Sequence, residues 1–117
     1  MHELSIAENI IDIIRQYVPE DELPLVRDVR LAIGAQSGIA PEALDFGYAS
    51  LIYGTPLGGS ALRIELVPYR LRCHGCQEEF VSNDGLVVCP HCGETRCETL
   101  AGTDMRVVDI TLAEDGS

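Results

Sequence analysis

Tryptophan is absent, and the only aromatic side chains in 117 residues are two phenylalanines and four tyrosines. That scarcity excludes a core of large stacked rings. With 46% hydrophobic residues, the interior must be built mainly from aliphatic side chains, in a single domain or in one small domain carrying a stapled subdomain. Basic residues are few as well, eight against nineteen acidic, for a formal charge of -11. Neutralising a phosphate backbone requires clustered Lys and Arg, so the charge argues against nucleic-acid binding and favours metal cations and basic protein partners. No segment approaches the roughly 18 apolar residues of a membrane-spanning helix. The first residues also lack the charged and apolar regions of a secretory signal. These absences lead to the expectation of a cytoplasmic protein, in which paired cysteines serve as metal ligands rather than disulfides.

What is present is a cysteine pattern. Cys73 and Cys76 form one C-x-x-C pair, Cys89 and Cys92 a second, with twelve residues between the pairs. Each such turn places two sulfurs on one side of an ion, and two facing turns close a tetrahedral shell of the kind structural zinc prefers. Iron bound by four thiolates is the chemical competitor. A closed shell leaves no position open for chemistry, so the function has to lie elsewhere in the chain. Gly93, directly after Cys92, fits a turn that needs positive φ while its amides face sulfur. His74 and His91 lie inside the turns and read as exposed spacers, and the fifth cysteine, Cys97, reads as a small buried hydrophobe without a role.

Periodicity supplies the frame. Leu4, Ala7, Ile10, Ile11, Ile14 and Val18 recur at three- and four-residue intervals, predicting an amphipathic helix that Pro19 ends. Val29, Leu31 and Ile33 alternate with Asp28, Arg30 and Ala32 in a first strand within 26–34. Pro41 opens a second helix over 41–53, carrying Leu44, Tyr48, Leu51 and Ile52 on one side, with a glycine-rich exit loop from Gly54 to Ser60. Leu62, Ile64 and Leu66 form a second alternating set, and Val108, Ile110 and Leu112 a third, whose apolar side has no core unless it returns to the first two. The expected architecture is therefore α+β: two helices packed on a three-stranded sheet, with a zinc-ribbon-like module inserted before the last strand. Residues 1–69 plus 99–117 form the first domain of that reading and 70–98 the metal-binding module.

The other chemically unusual feature is the opening Met1-His2-Glu3. A free amine at Met1, the backbone nitrogen of His2 and its imidazole can close two fused chelate rings. Three nitrogens in a plane suit square-planar nickel(II) or copper(II), with a fourth ligand from Glu3 or its backbone amide. Taken alone, His2 reads first as a solvated histidine on a frayed terminus, and nothing in the dipeptide itself chooses metal binding over that.

Met1-His2-Glu3-Leu4-Ser5, the run from Ile33-Gly34 to Leu44, the Gly54-Thr55 loop and the two C-x-x-C turns together resemble the HypA/HybF family of hydrogenase maturation factors, over essentially the whole chain. The resemblance implies a nickel metallochaperone and not an enzyme. It would deliver Ni(II) as transient cargo for nickel-iron hydrogenase, and in some organisms urease, working with a maturation GTPase and the hydrogenase large subunit precursor. It carries nickel ligation onto His2, Glu3 and Met1, and structural Zn(II) onto Cys73, Cys76, Cys89 and Cys92. One departure stands out: some members have an acidic residue near nickel where this chain has Ala40, and Glu42, beyond Pro41, is the nearest substitute.

Two other functions fit parts of the pattern. One is a zinc-ribbon interaction module with no nickel role. The other is a thiol oxidoreductase using Cys89 and Cys92, which requires that motif to follow a strand and open a long helix.

Overall fold

The computed structural model describes residues 3–114. Helix α1 spans Glu3–Tyr17 and α2 Pro41–Ile52. The strands are β1 Val26–Gly34, β2 Ala61–Val67, β3 Tyr69–Cys73, β4 Glu79–Ser82, β5 Cys97–Ala101 and β6 Met105–Leu112. They make two three-stranded sheets, one in the order β2-β1-β6 and one in the order β4-β3-β5. The chain packs as two compact units, the first comprising Met1–Leu31, Ile39–Glu65 and Arg106–Ser117, the second Ala32–Gly38 and Leu66–Met105.

The first unit confirms the expected frame. Glu3, Ala7, Ile10 and Ile14 form the buried line of α1, with acidic Glu3 in its first turn and basic Arg15 in its last, both matched to the helix dipole. Val18 donates its N–H to Ile14 O at 2.8 Å, and Pro19, which has no N–H, ends the helix. A short 3-10 helix over Glu20–Leu25, which the periodicity does not announce, leads into β1. Helix α2 begins with Pro41 at its first position and ends at Tyr53, followed by Gly54 at φ 76°, the left-handed residue that commonly closes a helix. Leu44, Tyr48 and Ile52 from α2 are buried, as are Val29 and Leu31 of β1 and Leu62 of β2. Each aliphatic side chain fully removed from water contributes about 1.5–3 kcal/mol, and Leu23, Val26 and Leu57 join the same core. The Tyr48 hydroxyl meets Ser60 Oγ at 2.7 Å, tying the end of the glycine-rich loop to α2.

Strand β6 returns beside β1, where Val108, Ile110 and Leu112 become half-buried rather than fully buried. Ala113 N–H donates to Leu25 O at 2.7 Å, and Arg30 pairs with Asp109 at 3.0 Å. Two expected core residues lie outside. Leu4 is 47% exposed because the buried line of α1 runs through Glu3 and Ala7, one position off Leu4 and thus about 100° around the helix. Leu66 is 60% exposed; β2 is an edge strand, and its inward line fades from buried Leu62 to half-buried Ile64 before reaching Leu66.

In the second unit β3 is central. It pairs antiparallel with β4, Arg72 opposite Glu79, and antiparallel with β5, Cys73 opposite Cys97, with a register shift between Arg70 and Leu71. Leu71 and Cys73 point inward, while Arg70 and Arg72 both reach Glu79, at 2.6 and 3.0 Å. These exposed pairs add little to stability, about 0–1 kcal/mol each. This unit is wider than the 70–98 segment marked by the cysteines, because β3 and β5 extend past it and the end of β1 belongs to it. Gly34 donates to Asp104 O, and Gln36 to Gly102 O, both at 2.8 Å. Gly102 has φ 102°, and a Cβ there would lie 2.5 Å from both Pro68 O and Tyr69 Cα.

Gly38 also has positive φ, 81°, but open space around it, which separates strain from collision. Gly38→Ala should cost about 1–2 kcal/mol from the left-handed backbone. Gly102→Ala should cost a further ~1–3 kcal/mol for overpacking against backbone. Chemical denaturation of both variants tests the difference, and equal losses would contradict the close approach.

Candidate metal centres

Strand β3 ends at Cys73, so the first C-x-x-C turn follows directly and links β3 to β4; the second lies in the connection from β4 to β5. The two turns share one hydrogen-bond pattern. Cys73 N–H donates to Glu78 O and Gln77 N–H to Cys73 O, at 2.9 and 3.0 Å; Cys89 N–H donates to Glu94 O and Gly93 N–H to Cys89 O, both at 2.9 Å. Amides face sulfur in both: Gly75 and Cys76 donate to Cys73 Sγ at 3.2 and 3.4 Å, and His91 donates to Cys89 Sγ at 3.4 Å.

The turns bring all four sulfurs within 4.8 Å of one another. Cys73 Sγ lies 3.5 Å from Cys92 Sγ, and Cys76 Sγ 3.6 Å from Cys89 Sγ. A disulfide would need about 2.05 Å. A tetrahedron with metal–sulfur bonds of ~2.3 Å has edges of ~3.8 Å, so the donor set fits a divalent ion such as zinc. The thiols already differ in acidity. The Cys76 amide, with help from the Cys92 thiol and the Gly75 amide, outweighs burial and brings Cys73 down to about 7. Cys76 and Cys92 move up: amide bonds at Glu78 and Glu94 favour their thiolates, but burial and neighbouring sulfur prevail. Like charges this close cannot all form unaided, which is the arrangement a cation relieves.

Gly93 takes φ 77°, as the sequence implies, and the equivalent position in the first turn is Gln77, at φ 64°. Gln77 is the one non-glycine at positive φ among the described residues, and its Nε2 donates to His74 O at 3.2 Å. His74 and His91 are exposed and stand outside the sulfur cluster, with His91 Nε2 3.8 Å from Glu78 Oε1. Cys97 is half-buried opposite Cys73 rather than fully buried, its thiol 3.7 Å from Glu94 O, and burial pushes its pKa up. Glu94 is a residue that sequence reasoning missed. Its carboxylate accepts from Arg96 Nη2 at 2.8 Å and from the Thr95 amide at 2.9 Å, and these contacts hold it down to about 2. Its carbonyl receives the Cys89 amide, so it locks the exit of the second turn. No helix follows Cys92: the chain turns and runs irregularly to β5, the opposite of what a redox C-x-x-C requires.

Of the N-terminal candidates, Met1 and His2 lie outside the described residues, and Glu3 opens α1. Glu3 is 8% exposed, and its Oε2 accepts the Ala40 N–H at 3.0 Å. Ala40 is the N-cap of α2, at φ -87° and ψ 112°, and its side chain offers no capping bond. Two positions far apart in sequence, both singled out for nickel, thus meet at the start of the two helices. Glu42 instead lines a shallow depression with Asp45, Leu62 and Ile64.

A closed thiolate centre in a small α+β protein without a redox helix defines a metal-binding protein rather than an oxidoreductase. Residues 1–112 match the family described as hydrogenase/urease nickel incorporation, metallochaperone, HypA, and the chain belongs to that family. It is 37% identical to the hydrogenase maturation factor HypA of Beijerinckia indica over 96% of this chain and 99% of that one. It is 38% identical to the factor of Chloroflexus aggregans, over 94% and 97%. The fold resembles the solution structure of the Ni metallochaperone HypA from Helicobacter pylori, with a TM-score of 0.67 and 19% identity over 98% of this chain and 100% of that one. Membership makes the protein a nickel metallochaperone of hydrogenase maturation, not an enzyme, and a factor of this kind works with other maturation proteins.

The twin turns differ in what their fifth residue tolerates. With no atoms within 4 Å of its Cβ position, Gly93→Ala should lose only the left-handed penalty, about 1–2 kcal/mol. Gln77→Gly should relieve a similar strain and lose much of the gain to unfolded-chain entropy, ending near neutral. Thermal melts of the metal-loaded variants read both, and an equal loss in the two would contradict the matched geometry.

Proposed function

We propose that the nickel(II) cargo is held at the N-terminal end by the Met1 amine and by the backbone nitrogen and imidazole of His2. Glu3 completes the set directly or through its backbone nitrogen. Cys73, Cys76, Cys89 and Cys92 hold a structural zinc(II). The observation that carries this division is the convergence of four sulfurs within 4.8 Å, since a shell closed by four thiolates has no open position for an ion that must enter and leave. When bound, zinc supplies folding free energy to a segment that buries little else. Nitrogen donors suit nickel, and the family match begins at residue 1. Copper(II) would bind the same nitrogens more tightly, so selectivity rests on delivery and partners rather than on affinity.

In this reading residues 1–69 plus 99–117 are the nickel-binding domain and 70–98 the zinc-binding module, the latter shaping a docking surface. The partners are a maturation GTPase and the precursor of the nickel-iron hydrogenase large subunit, in the cytoplasm. Among the described residues no helix is long and apolar enough to cross a membrane, and the acidic surface suits basic protein partners.

Purified under reducing conditions, the protein should carry one zinc per chain with Zn–S scattering near ~2.3 Å. Replacing any one of the four cysteines should release the metal and unfold 70–98, read by loss of amide protection in that segment. Metal-free, fully protected protein would refute the zinc assignment.

Nickel placement has a separate test. The sequence contains no lysine, so amine-selective acylation of the zinc-loaded protein reaches the Met1 amine alone. Acylated protein and His2→Ala should both lose at least about tenfold in nickel affinity by calorimetry while keeping zinc. Unchanged binding in both would remove nickel from this end of the chain.

A further inference from the structure

Resting on that nickel reading, the geometry points to the Glu3 carboxylate as a positioning group that tethers the chelating end to helix α2, and not as a nickel ligand; of Glu3, only the backbone nitrogen belongs to the metal. The first observation is the contact itself. Glu3 Oε2 accepts the Ala40 N–H at 3.0 Å across 37 residues of sequence, from a side chain that is almost entirely buried. A buried carboxylate is costly unless its oxygens are bonded, so the contact is a condition of the local fold.

The second observation is what α2 lacks. In a capping box, a Glu or Gln at the third helical position reaches back to the N–H of the N-cap residue. Here the N-cap is Ala40, which contributes no side-chain bond, and the third helical position is Ala43. Glu3 supplies the missing acceptor from another helix, at an end where the dipole favours a carboxylate. One side chain therefore joins the first residue of α1 to the residue before α2, while α2 packs on α1.

The consequence for metal binding is covalent. His2 is joined directly to Glu3, so holding Glu3 fixes the residue to which the proposed chelating pair is attached. Groups that orient ligands without touching the metal change affinity by about 10–100-fold. The same contact accounts for the tolerance of alanine at position 40: the tether uses the backbone N–H, which any residue except proline provides.

The test measures nickel(II) affinity by calorimetry on zinc-loaded parent, Glu3→Ala, Glu3→Gln and His2→Ala, with zinc content and the Ala40 amide shift recorded for each. Glutamine keeps an acceptor oxygen for Ala40 but is a poor replacement for a metal-bound carboxylate. Glu3→Ala should weaken nickel about tenfold and move the Ala40 amide resonance even without nickel. Glu3→Gln should restore most of both, to within about threefold of the parent. If Glu3→Gln binds as weakly as Glu3→Ala while its Ala40 resonance stays in place, the carboxylate is itself a ligand and the tether is wrong. If both Glu3 variants bind like the parent, the contact does nothing for nickel and the proposal fails. Should His2→Ala bind like the parent, the nickel placement fails first, a result separable from either Glu3 outcome.

Discussion

Four sulfurs held within 4.8 Å are the constraint on which the second unit depends. Within 70–98 the buried hydrophobic side chains are Leu71, Cys73 and Cys89 alone, too little apolar surface to order that length of chain against its conformational entropy. Backbone geometry there is arranged around the sulfurs: two matched turns, each ending in a positive φ, each aiming amides at a thiol. Gln77 accepts an unfavourable backbone conformation to keep the first turn like the second. Local strain of this kind persists only where the surroundings over-determine it.

The first unit is stabilised differently. An aliphatic core of Ala7, Ile10, Ile14, Val29, Leu31, Leu44 and Leu62 needs no metal, so this part of the protein can stay folded whether or not cargo is present. For a metallochaperone that separation is useful. A donor set whose loss would unfold the protein cannot release its ion, whereas one placed at the end of an independently packed helix can. The Glu3–Ala40 contact lies at the start of that helix, next in sequence to the residues proposed to take nickel.

Acidity serves the same purpose. A charge of -11 spread over a small chain draws cations toward it at long range and screens out phosphate polymers. A protein of hydrogenase maturation handles metal ions and other proteins, and neither task requires a catalytic constellation.

Much of the fold is legible in the sequence because it is local. The two C-x-x-C pairs, the 3.6-residue period of α1, Pro41 at the start of α2, the alternation in β1 and β6, and the need for positive φ at Gly93 each depend on residues within one or two turns of chain, where spacing and stereochemistry leave few alternatives. Strands β4 and β5 are not legible in this way, since their few residues mix types and only pairing makes them strands, whereas β3 does alternate, Tyr69, Leu71 and Cys73 against Arg70 and Arg72, over five residues beside the cysteine turn. The exposure of Leu4 and Leu66 likewise follows from which side of each element finds a partner. Sequence alone determined the four-thiolate donor set and the positions of α1 and α2. Tertiary structure decided that Cys73 faces Cys97 and that Glu3 meets Ala40 across 37 residues, because such contacts form only when distant segments pack and no local pattern encodes them.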